Sequence, residues 1–477
     1  MKKTLVKSRS KNFGAILTVS SLLTVNFLSP VAALAQGSPD IHMEEGDFVH
    51  DSEDIVLPDL SKLDELKTLE VERGHFDVSD IEVPNPPHQM EVEVGTFVEL
   101  QRAIYSAQPD TALVINITNS FEFTNRIFIA EGLHITLQSD GDYTLTQRNG
   151  RHFMVESNSL FILSEGITLD GASQAGGVEV RHASFWLRGG RITNNKAFNA
   201  GGGIYVHNGH LMLNQGLLLN NTAFAGGAVY ISNGLVNYTA GLDIRQNSAE
   251  YGGGMFVIDS VTNGRLNLNE NSATFGGGMF VTGSTGFMNG FAMDNSADYG
   301  GGMFITDSTL GFSNMGAVRN SAEYGGGMYL LNGTVNTSTG GFTSNSAEFG
   351  GGVFLTDDST LIQMNPIHTH NSATAGGGAY IFDNSRMTLH YGSISSNNAV
   401  AGGGVYIGRA GNFEMDDNFP RITGNHALQG GGVVVGDLAT FTMRSGFIER
   451  NTAVIDCAVM VYPTGTFNRH EFGFVSC

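Results

Sequence analysis

Eleven copies of one phrase, Asn-x-Ala-x-x-Gly-Gly-Gly-apolar-aromatic-apolar, constrain this chain more than any other feature. Their leading asparagines are Asn195, Asn221, Asn247, Asn271, Asn295, Asn320, Asn345, Asn371, Asn397, Asn425 and Asn451, with gaps of 24 to 28 residues. A unit this short cannot bury an apolar face by itself. Successive copies must therefore stack on one another as a solenoid.

The unit reads as strand and turn, not helix. Its apolar stretches, such as Met303-Phe304-Ile305 and Val353-Phe354-Leu355, are three to five residues long and are bounded by glycine and asparagine. Helical repeats would need longer apolar periods rich in Ala, Leu, Glu and Lys, yet no lysine follows Lys196. Leucine-rich repeats would need a Leu-x-x-Leu-x-Leu pattern, which is missing. The expectation is an all-β parallel β-helix. At about 25 residues per coil, residues 113–451 would make about 13 to 14 coils.

The pairing of Gly-Gly-Gly-apolar, as in Gly300-Gly301-Gly302-Met303, with apolar-x-x-Asn, as in Phe342-Thr343-Ser344-Asn345 and Ile244-Arg245-Gln246-Asn247, carries a resemblance. It resembles the repeat region of polymorphic outer-membrane proteins and related bacterial β-helix adhesins, over roughly residues 97–455. The resemblance implies a right-handed, pectate-lyase-like parallel β-helix at a cell surface. Those membrane proteins usually end in a translocator barrel closed by an aromatic residue, whereas this chain stops at Cys477. Anchoring of that kind is not expected.

Five domains are expected. Residues 1–35 read as a signal peptide: Lys2, Lys3, Lys7, Arg9 and Lys11 precede an apolar run, and Ala33-Leu34-Ala35 offers a small-residue cleavage box. An uncleaved anchor helix is the alternative, but Ser20, Ser21 and Asn26 interrupt the run. No second span follows, so the mature chain is expected to lack a transmembrane span and to be secreted or held at the cell surface. Residues 36–95 read as an acidic, poorly ordered linker, since residues 40–94 hold 17 Asp or Glu against 3 Lys or Arg. Within it, 57–69 has the pattern of a short amphipathic helix whose charge argues against much packing. Residues 96–190 read as an N-terminal cap and irregular coils. There Thr96 and Glu99 resemble a capping box, and Phe97, Leu100 and Ile104 lie on one face of a plug helix. The regular repeats span 191–455 and a C-terminal cap spans 456–477. Cys457 and Cys477 could form a disulfide there or remain two free thiols.

The formal charge of −21 argues against nucleic-acid binding and favours cations or basic partners. Within the coils, the column Asn247, Asn271, Asn295, Asn320, Asn345 and Asn371 reads as an internal ladder in which each amide bonds to the next. The glycines read as corner residues. They do not form phosphate loops, because no Lys-Ser/Thr follows. Just before the asparagines, Glu270, Asp294 and Arg319 stand on consecutive coils, with Arg319 free to pair an acid. Three residues after them, Asp298, Glu323 and Glu348 are stacked carboxylates that could hold Ca2+, although a solvated turn edge is the plainer reading.

A third column is aromatic: Tyr205, Tyr230, Phe256, Phe280, Phe304, Tyr329, Phe354, Tyr380 and Tyr406. If the flanking aliphatics face the core, strand alternation turns these rings outward as a ligand-binding stripe for a glycan or extracellular protein. Packing of the rings within the protein is the alternative. Asp416-Asp417 and His368-Thr369-His370 read as loop insertions, and Ser308 as a surface residue. No other cofactor is expected. The expected function is a secreted or surface adhesin. The alternative is a polysaccharide lyase or glycoside hydrolase, which would need carboxylates and an Arg or Lys converging in one groove.

Overall fold

The computed structural model describes residues 58–63, 85–416 and 418–477, all within one compact unit, Glu45–Cys477. The signal-like residues 1–35, most of the acidic segment, and Asp417 lie outside the described residues. The chain is an all-β parallel solenoid. Among the described residues its strands form one sheet of 22 and another of 14, and every strand pairing is parallel.

One coil explains the rest. Met303–Thr306 is a short strand whose Met303 and Ile305 point into the tube. Asp307 then turns the chain with φ of 48°. The long strand Thr309–Val318 follows, sending Leu310, Phe312, Met315 and Ala317 inward. Arg319, with φ of 54°, makes the second turn, and Asn320 enters the interior. Ser321 and Tyr324 each make a single bridge to the coils on either side before Gly325 begins the next coil.

The glycines are needed for different reasons. Gly300 has φ of +67°, a left-handed conformation that disfavours any side chain. A Cβ on Gly301 would sit 2.5 Å from both Gly326 O and Ser321 O of the next coil, so the obstacle there is close backbone approach.

Near the N-terminal end of the interior, helix α1 (Phe97–Tyr105) lies between the strands His88–Val94 and Thr111–Ile117. The Glu99 N–H donates to Thr96 Oγ1 at 3.3 Å. The Glu99 carboxylate reaches one residue beyond a standard capping box and accepts from the Gly95 N–H at 2.9 Å. Phe97, Leu100 and Ile104 join the interior core. At the other end Cys457 and Cys477 are disulfide-bonded, with Cα atoms 5.5 Å apart.

Candidate functional site

The asparagine column is a continuous buried ladder. The backbone N–H and Nδ2 of Asn295 both donate to Asn320 Oδ1, at 2.9 and 3.0 Å, and Nδ2 also donates to Leu268 O at 3.0 Å. The same bifurcated acceptor recurs through Asn247, Asn271, Asn345 and Asn371. A second ladder, of serine, runs beside it. The N–H of Ser260 donates to Ser284 Oγ and that of Ser284 to Ser308 Oγ, each at 3.0 Å. Ser308 is 4% exposed, so it is not a surface residue. Its spacing of 24 residues from Ser284, and of Ser284 from Ser260, was the available sequence signal.

The aromatic column requires a correction. Its rings do point away from the tube, as alternation with inward Met303 and Ile305 demands. They are not exposed. Tyr230, Phe256, Phe280, Phe304, Tyr329, Phe354, Tyr380 and Tyr406 are each at most 2% exposed, and only Tyr205 is half-buried. The rings stack coil on coil, with centroids 4.8 Å apart for Phe280–Phe304 and Phe304–Tyr329. A second ring column, Tyr251, Phe275, Tyr299, Tyr324 and Phe349, packs edge-on against them, as in Phe275–Phe304 at 5.9 Å and 87°. Together these columns make a second apolar core outside the tube.

Leu60 and Leu63 also belong to this outer core, and Leu63 is only 4% exposed. The Asp59 carboxylate accepts from the Ser61 N–H at 2.9 Å and holds the turn that presents them. Beside them Lys62 Nζ lies 2.9 Å from Glu250 Oε1. The expectation that segment 57–69 packs little therefore fails at its described part. Leu60 and Leu63 meet an apolar groove that local charge balance does not reveal.

The outer core opens at Tyr205 into a pocket of about 450 Å³. Tyr205 and Tyr230 stack in parallel at 5.2 Å along it. The Arg151 guanidinium is buried although the residue as a whole is only half-buried. It donates to Ala200 O at 2.8 Å and to Gly201 O. Burial lowers its pKa to about 10, against the opposing pull of Glu179, so it stays charged at neutral pH. Glu179 pairs with Arg181 at 2.7 Å. Lys196 is exposed at the rim, and Phe198 is 95% exposed. The pocket thus joins aromatic faces to cations and one carboxylate. Sequence reading missed it because Arg151, Glu179 and Arg181 come from irregular coils and meet the first members of the aromatic column, Tyr205 and Tyr230, only in space.

The stacked acids behave differently. Asp298, Glu323 and Glu348 are exposed on consecutive coils. Burial, then repulsion from Glu348 and Asp298, raises the Glu323 carboxyl above its ordinary value. Among the described residues, no group of three or more His, Cys, Asp or Glu is placed to hold a metal ion. Arg319 pairs with Asp294 through two bonds of 2.8 and 2.7 Å.

His368 is no loop insertion. It lies inside the tube in the strand Thr360–Thr369, one coil from Phe342 at the same register. Its Nε2 meets Gln363 Oε1 at 2.9 Å, and burial lowers its pKa to about 4. Asp416 is 2.6 Å from His390.

These features define the class as a parallel β-solenoid with an interior polar ladder and an exterior aromatic core. Comparison with family models, curated proteins and solved structures found no match.

Proposed function

We propose that this chain is a secreted or cell-surface interaction protein that binds a glycan at the pocket beside Tyr205, in the manner of an adhesin. The observation that carries the reading is the exposed Phe198 at the rim of a 450 Å³ pocket that also holds Lys196, Arg181 and the stacked Tyr205–Tyr230 pair. Aromatic faces suit the apolar faces of sugar rings, and neighbouring charged groups suit their hydroxyls and acids. The resemblance to bacterial β-helix adhesins and the signal-like residues 1–35 point in the same direction. Among the described residues no helix is long and apolar enough to cross a membrane.

The test is binding of the purified chain to arrayed glycans and extracellular-matrix proteins, compared with Phe198→Ser and Lys196→Ala. Loss of a glycan signal in both variants, with unchanged thermal stability, supports the reading. Glycan binding that ignores both substitutions would place the site elsewhere. Release of new sugar ends from acidic polysaccharides would replace binding by carbohydrate cleavage.

A further inference from the structure

We infer that the outer aromatic groove is a docking surface for a leucine-repeat segment, and that the chain's own residues 58–63 are its resident, displaceable occupant. The outward face of the short-strand sheet is closed across its width: beside the buried rings, the outward-facing Thr282, Thr306 and Thr356 are each at most 1% exposed. The groove is therefore closed to solvent at these positions. Residues 58–63 are seated against it, with Leu60 and Leu63 in the same apolar cluster as Tyr251, Phe256 and Phe280.

Spacing supports the same occupant. Leucine recurs every third residue at Leu57, Leu60, Leu63, Leu66 and Leu69. On an α-helix, three residues rise by about 4.5 Å, and three such leucines stay within an arc of about 120°. Adjacent coils of the groove are about 4.8 Å apart. A helical turn thus allows Leu60 and Leu63 to meet rings of adjacent coils, and residues 61–63 are helical.

Charge supports it as well. Lys62 is one of only three basic residues between 40 and 94, and it pairs with Glu250. Glu250 stands at the head of the turn column that continues through Asp298, Glu323 and Glu348. Apart from Lys62 and Lys67 the segment's charges are acidic and share the sign of that column, and among the described residues 58–63 the Lys62 contact is the favourable one. Apolar contact must hold the rest, which makes the occupant removable by changing its leucines.

The experiment uses the full chain. In the wild type, a zero-length carbodiimide should cross-link Lys62 to Glu250 within one molecule, read by mass spectrometry on mixed isotope-labelled and unlabelled protein. The Leu60→Ser/Leu63→Ser double variant should keep its β-rich circular dichroism. It should also raise the fluorescence of an apolar dye several-fold. A labelled peptide of residues 57–69 should bind this variant at least tenfold more tightly than the wild type, whose groove is already filled. The same peptide with its leucines changed to serine should not bind. Equal peptide binding to both proteins, or unchanged dye fluorescence, overturns the inference. So does failure of the double variant to fold, since the segment would then be integral to the fold. Absence of the cross-link overturns it independently of any variant, and a cross-link only between copies would assign the groove to a second molecule.

Discussion

At the scale of single residues, the asparagine ladder solves a problem created by stacking. Each coil turns a backbone N–H into the interior, where an unpaired donor costs about 1 to 3 kcal/mol. Asn320 Oδ1 accepts that N–H from Asn295, and the Asn295 amide passes the pattern on to Asn271. Asn295→Leu strands the Asn271 N–H and Leu268 O together, so a loss of roughly 2 to 5 kcal/mol is expected in chemical denaturation. The exposed Ser296→Ala is the matched control, because Ser308 belongs to a buried ladder. Equal losses for Asn295→Leu and Ser296→Ala would remove the ladder from the account.

His152 and His368 place a pH dependence in the same interior. Burial lowers each pKa from 6.5 to about 4. The unfolded chain therefore binds more protons than the folded one between these values, so stability is full above about pH 6.5 and falls as pH drops toward 4. Each histidine accounts for roughly 3 kcal/mol over that window. Thermal unfolding followed from pH 7.5 to 4.5 should show a falling midpoint. His368→Phe, which copies Phe342 one coil earlier, should flatten part of the slope. An identical slope in the variant would show that His368 is not held neutral.

At the scale of the strand, side-chain alternation gives each short strand two apolar faces and so two cores. Met303 and Ile305 fill the tube, while Phe304 stacks between Phe280 and Tyr329 outside it. Truncating one such ring should cost about 3 to 5 kcal/mol. Changing Phe280, Phe304, Tyr329 and Phe354 together to Ser should then abolish folding, read as loss of β-rich circular dichroism. A stable, soluble quadruple variant would mean that the outer core contributes little. Alternation was legible from the sequence, and it correctly turned these rings outward. Alternation left their burial open between an exposed stripe and packing within the protein, because the edge-on ring against Phe304 is Phe275 on another coil.

For the whole solenoid, each coil touches chiefly its neighbours, so stability is close to a sum of local terms. The disulfide between Cys457 and Cys477 closes a separation of 20 residues at the C-terminal end. Chain entropy assigns about 3 kcal/mol to a loop of that size. Cys457→Ser with Cys477→Ser should therefore accelerate amide exchange in the last two coils, after residue 425, while leaving the coils around Asn295 unchanged. Uniform acceleration would indicate a solenoid that opens all at once.

The repeat alone determined the coil: its period, its strand character, the inward asparagines and the glycine corners all follow from contacts between identical positions on adjacent coils. Such contacts repeat the sequence to itself, which is why one chain suffices to read them. The tertiary structure decided whatever depends on unlike parts meeting. It set Leu60 and Leu63 on the aromatic face, and gathered Arg151 and Arg181 of the irregular coils beside Lys196 and Phe198 of the first repeat into one pocket. Periodicity carries no information about these meetings, because each depends on where separate segments come to rest in space.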